Sequence, residues 1–204
     1  MAKTAVISLA KSGTHLISRA LELMGLQLNF HLGAGNLMGW KNLITSRVKY
    51  LGQPSVIIGL DLDVCVGYKS LRQALQRVKD NQYITLHAGY SCALDYLLDE
   101  FGFNKIAMIR DPRAVLVSYI HYVRELPSHF LYRRFASLSF DECVAFTLKG
   151  GEIAYGNTHI YINPFFEKLF RIDRWRAKPG ALWIRFEELV GAQGGGGNYH
   201  KIVC

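Results

Sequence analysis

The sequence predicts an α/β fold, a three-layer sandwich with a central parallel sheet, and three observations predict it. Short apolar, partly β-branched runs alternate with amphipathic stretches along most of the chain. The first run breaks into a tight loop that opens a helix. Lys11, His87 and Arg110 each stand where one of these runs ends. In parallel sheets ligands sit beyond the carboxyl ends of the strands, so all three side chains are expected to face one crevice.

The elements follow in order. Thr4 to Leu9 reads as a buried strand, Ser12-Gly13 breaks it, and Leu16, Ile17, Ala20, Leu21 and Met24 recur at helical spacing before Gly25. Asn29 to Lys49 is rich in Gly, Asn and aromatics with weak periodicity, and is expected to be irregular or partly helical. Ser55 to Leu60 predicts a strand and Ser70 to Val78 a helix. Tyr83 to Leu86 predicts a strand ending at His87, Cys92 to Glu100 a helix, and Lys105 to Ile109 a strand closing on Arg110. Pro112 starts a helix where its missing N–H does no harm, and that helix runs to Val123. Helices over Phe140–Leu148 and Asn163–Trp175 and a strand over Ala181–Phe186 complete the pattern.

The chain has 204 residues, half of them hydrophobic, which suits one domain over 1–204. A net charge of +8 favours anionic partners without choosing among them. No recognised nucleic-acid module accompanies that charge, so no nucleic-acid partner is expected. The four cysteines are scattered, as reduced thiols of a cytoplasmic protein would be. Lys11 interrupts the first apolar run too early for a secretory segment. No uncharged stretch reaches the roughly 18–20 residues that span a bilayer, so no stable membrane insertion is expected.

Two motifs carry chemistry. In Ala10-Lys11-Ser12-Gly13-Thr14-His15 a loop leaves a strand and opens a helix, aiming backbone N–H groups and the positive helix end at one point. Lys11 adds a charge, and Ser12 and Thr14 add hydroxyls. Alone, the turn is as consistent with a plain helix start. A nucleoside-triphosphate P-loop would need glycine at positions 5 and 10, and both are alanine. In Arg110-Asp111-Pro112-Arg113, with Ser118 about two helical turns on, a strand-end arginine can grip a phosphate. Alone, it reads equally as an Asp111 cap flanked by solvated charges.

Taken together, Lys-Ser-Gly-Thr near the start and Arg-Asp-Pro-Arg-x4-Ser mid-chain resemble the sulfotransferases that use 3′-phosphoadenosine 5′-phosphosulfate (PAPS). Leu86-His87-Ala88-Gly89-Tyr90-Ser91 resembles the family's His-Leu-Pro segment, and Ile184-Arg185-Phe186-Glu187-Glu188-Leu189 its Arg-Tyr-Glu-Asp-Leu region. The resemblance implies a P-loop-like fold of the sulfotransferase and nucleotide-kinase type. It implies PAPS as co-substrate, adenosine 3′,5′-bisphosphate as its product, and no metal. Lys11, Ser12, Gly13 and Thr14 would bind the 5′-phosphosulfate, with His15 beside them. Arg110 and Ser118 would bind the 3′-phosphate and Phe186 would lie against the adenine. His87 would be the catalytic base and Lys11 would stabilise the leaving phosphate. The acceptor, a hydroxyl or amine on a small molecule, lipid or glycan, stays open, as does the oligomeric state.

The chain departs from the family at Ala10 (often proline), His15 (usually threonine) and Thr85 (lysine in cytosolic animal members). The family's Arg-Lys-Gly loop beyond the glycine-rich segment is not found before Cys204, so the domain reads as truncated relative to the family. A binding or scaffold module that has lost catalysis, and a P-loop-type small-molecule kinase, are the alternatives. His121 and Tyr122 are expected to be packing or rim residues. Arg171, Arg174, Arg176 and Lys178 are expected to form a solvated face. Phe30, Trp40 and Tyr50 could shape an acceptor pocket, although core packing is the commoner use.

Overall fold

The computed structural model describes residues 2–33, 54–156 and 158–191. Its centre is a five-stranded sheet made of β1 (Thr4–Ser8), β2 (Gln27–Leu32), β5 (Gln82–Leu86), β6 (Asn104–Ile109) and β9 (Ala181–Arg185), in the order β2-β5-β1-β6-β9. Every pairing in it is parallel. From central β1 the chain goes to β2 on one side, returns through β5, and crosses to β6 and β9 on the other. The reversal at β1 opens the crevice in which such sheets bind ligands.

Period-two alternation divides the strand side chains between two cores. Val6, Tyr83, Met108 and Ile184 pack with Ile17 and Leu21 of α1 (Thr14–Leu23) and Leu189 of α8 (Phe186–Leu189). Ala5, Ile7, Ile84 and Leu86 face the larger side. There they meet Leu71 and Leu75 of α2 (Tyr68–Gln76), Leu94, Leu97 and Leu98 of α3 (Cys92–Glu100), and Val115 and Ile120 of α4 (Pro112–Glu125). Each such leucine stabilises the fold by about 1.5–3 kcal/mol through burial. The expected layers, sheet between helices, are therefore present.

Local chemistry accounts for the helix starts. Ser91 Oγ accepts from the Leu94 amide at α3, and Asp111 Oδ1 accepts from the Arg113 amide beside Pro112 at α4. Ser139 and Glu142 form a reciprocal capping box on α6 (Phe140–Lys149). Beyond α5 (Tyr132–Ala136) and α6 comes a hairpin of β7 (Gly151–Tyr155) and β8 (Thr158–Ile162), then α7 (Phe165–Asp173) and a 3-10 turn over Arg174–Ala177.

Four expectations need correction. Asn29–Leu32 is not irregular: it lies in β2, at the sheet edge, where only one side of the strand needs a partner. The remainder of that segment, with Trp40 and Tyr50, lies outside the described residues, and Phe30 packs on the core. The strand at Ser55 does not join the main sheet. β3 (Ser55–Ile58) pairs antiparallel with β4 (Val64–Gly67), and touches the sheet through a parallel bridge from Gly59 to Ala88. The helix expected over Asn163–Trp175 starts at Phe165, after Pro164, and tightens into the 3-10 turn at Arg174. Finally, Arg171 is not part of a solvated face: it pairs with Asp63 at 2.6 Å and with Glu167.

Candidate functional site

The carboxyl ends of β1, β5, β6 and β9 open into one cavity of about 1120 Å³. Lys11, Gly13, Thr14, His15, His87, Arg110, Ser118 and Phe186 all line it, so the predicted site residues converge with a single exception. Ser12 is 2% exposed and is not among the lining residues; its amide closes the turn onto Leu9 O at 3.1 Å.

The loop is held in an uncommon backbone shape. Lys11 has φ 70° and Gly13 φ 106°. The first is a left-handed conformation that costs a residue with a Cβ free energy and persists where its surroundings impose it. A Cβ at Gly13 would stand 2.5 Å from Phe186 Cδ2, so only glycine lets the β9 end approach the loop. Thr14 opens α1 and its Oγ1 bonds Ser8 Oγ at 2.7 Å, tying the helix start to the strand end.

Arg110 completes this wall. Its Nη1 donates to Lys11 O at 3.1 Å and its guanidinium lies 4.3 Å from the Phe186 ring centroid. Lys11 Nζ sits 4.5 Å over the ring of Tyr122, a rim residue as expected. Neither cation has a carboxylate within ion-pair distance among the described residues. Two uncompensated cations beside a helix N-terminus form an anion-binding wall.

His87 is placed by three contacts. Its amide donates to Leu32 O, and the residues after it are fastened by Trp175 Nε1 donating to Ala88 O and by the Tyr90 amide donating to Arg171 O. His87 Nδ1 is 2.8 Å from Ser8 O, and a carbonyl can only accept, so Nδ1 carries the proton and Nε2 keeps its lone pair. Burial lowers the His87 pKa, and nearby His15 lowers it further; the Ser8 carbonyl and Asp61 oppose them without reversing the result. The ring is therefore neutral at pH 7. His31 packs edge-on against it at 4.7 Å and hydrogen-bonds Thr85 Oγ1 at 2.5 Å. Burial, then the His87 and His15 charges, push His31 down to about 4.

The family model of the Sulfotransferase domain matches residues 2–191. The chain belongs to the sulfotransferase family. A search of curated proteins finds no match. Among solved structures, this sulfotransferase domain is similar in fold to mouse sulfotransferase SULT7A1 complexed with PAP, at 18% identity and a TM-score of 0.52. That match covers 93% of this chain and 53% of the mouse chain, so the chain spans about half the length of that relative.

The sequence reading does not anticipate a second wall of this cavity. Asp61, Tyr119, His129 and His31 line it. Asp61 comes from the hairpin turn after β3, Tyr119 from α4, and the Lys168 that pairs with Asp61 from α7. No spacing rule connects these positions. The usable signal was Asp61 itself, an acid just past a predicted strand end, in the place where Lys11 and Arg110 were singled out. Among the described residues no helix is long and apolar enough to cross a membrane, and no group of histidine, cysteine and acidic residues is arranged to hold a metal.

Proposed function

We propose that this sulfotransferase moves a sulfuryl group from PAPS to a hydroxyl or amine of an acceptor. The observation that carries the reading is the convergence of the Lys11 loop, Arg110 and His87 on one cavity in a chain of this family. When bound, the donor supplies an activated sulfuryl group whose departure leaves negative charge on a phosphate oxygen.

The residues present fit such a ligand. Gly13 lets Phe186 close against the loop, and Lys11 and Arg110 carry charge that no carboxylate neutralises among the described residues. Lys11 and the amides at the start of α1 hold the sulfated end and counter the charge that grows there. Arg110 and Ser118 hold the 3′-phosphate, and Phe186 offers the adenine an aromatic face. His87 Nε2, lone pair outward, takes the proton released by the acceptor, a role typically worth about 10²–10⁴-fold. Burial keeps the ring neutral and so ready to accept it.

Incubation with labelled PAPS and a panel of hydroxyl and amine acceptors tests the reading, with Lys11→Ala and His87→Ala as controls. Transfer by the wild type, lost in both variants, is expected. Absence of transfer together with absence of adenosine 3′,5′-bisphosphate binding would refute it.

A further inference from the structure

Facing the donor wall, the cavity carries a carboxylate that the transfer chemistry leaves unused. Asp61 is 22% exposed at its side chain and lines the cavity. Behind it Lys168, 2% exposed, donates to Asp61 Oδ1 at 2.6 Å. The turn that carries Asp61 is fixed from a third element: the Asn163 amide donates to Asp61 O at 2.8 Å, and Asn163 Nδ2 to Leu60 O at 3.1 Å. Tyr119, 4% exposed, presses against the same carboxylate, yet its hydroxyl lacks hydrogen-bond geometry to any partner among the described residues. Burial alone would raise the Asp61 pKa, but the charge and hydrogen bond of Lys168 outweigh it and hold the group ionised.

Lys168 engages Asp61 Oδ1 from behind and the Tyr119 hydroxyl lies close enough to favour the ionised carboxylate, yet each carboxylate oxygen has two lone pairs, so Asp61 keeps acceptor capacity toward the cavity it lines. The charge is already balanced by Lys168, so what this wall offers is a strong hydrogen-bond acceptor more than a net negative field. Beside it runs an aromatic ledge. His129 stacks on Phe130 at 4.5 Å, and Tyr122, whose ring carries Lys11 Nζ over it, meets His129 edge-on at 5.6 Å. A carboxylate next to aromatic faces suits a ring whose hydroxyls point one way and whose C–H face lies flat.

We propose that Asp61 reads the acceptor by taking a hydrogen bond from a second hydroxyl of it, so that the acceptor is a neutral, polyhydroxylated, ring-type molecule. The inference rests on the transfer reading, because Asp61 can read a second hydroxyl only when the first is at His87.

The test uses the full chain saturated with adenosine 3′,5′-bisphosphate and titrated, with ligand-observed NMR, with cyclohexanol, vicinal cyclohexanediol and the matching amino alcohol. The diol is expected to bind about tenfold more tightly than cyclohexanol, the size of one hydrogen bond to a charged group. In Asp61→Asn the ratio should collapse towards one. That substitution strands the buried Lys168, so the pair variant Asp61→Asn with Lys168→Met, which removes both charges, is measured beside it; a thermal melt verifies its fold. The same collapse in the folded pair variant supports the assignment. Bisphosphate binding with a ratio near one in the wild type, or a ratio unchanged in the pair variant, overturns it and leaves the transfer reading standing. An amino alcohol that binds more tightly than the diol overturns the neutral-acceptor class. Failure of the wild type to bind bisphosphate overturns both readings.

Discussion

The donor wall of the cavity is built from loops that leave neighbouring parallel strands, with Lys11 and Arg110 uncompensated by any described carboxylate. The facing wall is built from an ion pair, Asp61 with Lys168, whose members lie 107 residues apart and whose cation is almost fully buried. The first wall keeps its charge available for a ligand. The second has spent its charge on itself and presents a fixed hydrogen-bond acceptor. Two consequences separate the walls: substitutions on the donor side should cost binding and rate, and substitutions on the facing side should cost stability first.

The largest effect is expected at the boundary between them. His87→Ala should lower kcat by about 10²–10⁴-fold with donor affinity retained, as single-turnover transfer and bisphosphate titration would show. Comparable loss of bisphosphate affinity would mean that His87 belongs to the donor wall. Asp61→Asn comes next, leaving an uncompensated ammonium in the interior at a cost of about 3–5 kcal/mol in urea unfolding. Lys11→Ala, removing a charge that has no carboxylate partner, should leave the unfolding midpoint nearly unchanged. Similar losses in the two variants would erase the distinction.

Acid should weaken the interior next. The folded His31 binds its proton only near pH 4, against 6.5 for the unfolded chain. Between those values the unfolded state binds more protons, so stability falls as pH falls from 6.5 toward 4. His129 and His87, also lowered by burial, act in the same direction. Urea midpoints measured from neutral pH downward should decline, and His31→Gln should flatten the decline. The acid limb of the transfer rate should lie below the ordinary histidine range, because His87 stays neutral there. The smallest effect is expected at Gly13→Ala. Its positive φ and the contact with Phe186 predict a loss of about 1 kcal/mol or more, with weakened donor binding. An unchanged melt and affinity would show that the loop can shift away from Phe186.

The same contrast explains what the sequence could reveal. The donor wall is nearly contiguous in the chain: Lys11, Gly13 and Thr14 fall within four positions, and Arg110 and Ser118 belong to one strand and the helix that follows it. Local periodicity and turn chemistry locate such groups, and the strands that carry them were legible for the same reason. β3 was legible as a strand but not as a hairpin outside the sheet, because its partner Val64–Gly67 is four residues long and follows an acidic turn. β2 was obscured because its edge position leaves Gln27, Leu28 and Asn29 exposed and spoils the apolar run. Asp61, Tyr119 and Lys168 meet only through tertiary packing, and no local pattern encodes an encounter between positions 61 and 168. Ser12 is the opposite case, conspicuous in the motif yet turned into the interior.

The claim on which the rest depends is that Lys11 and Arg110 grip one doubly phosphorylated adenosine. Calorimetric titration of the full chain with adenosine 3′,5′-bisphosphate tests it without knowledge of the acceptor. The account predicts one-to-one binding that Lys11→Ala and Arg110→Ala each weaken by about tenfold or more. A wild-type protein that does not bind the bisphosphate, or binding indifferent to both substitutions, would contradict it.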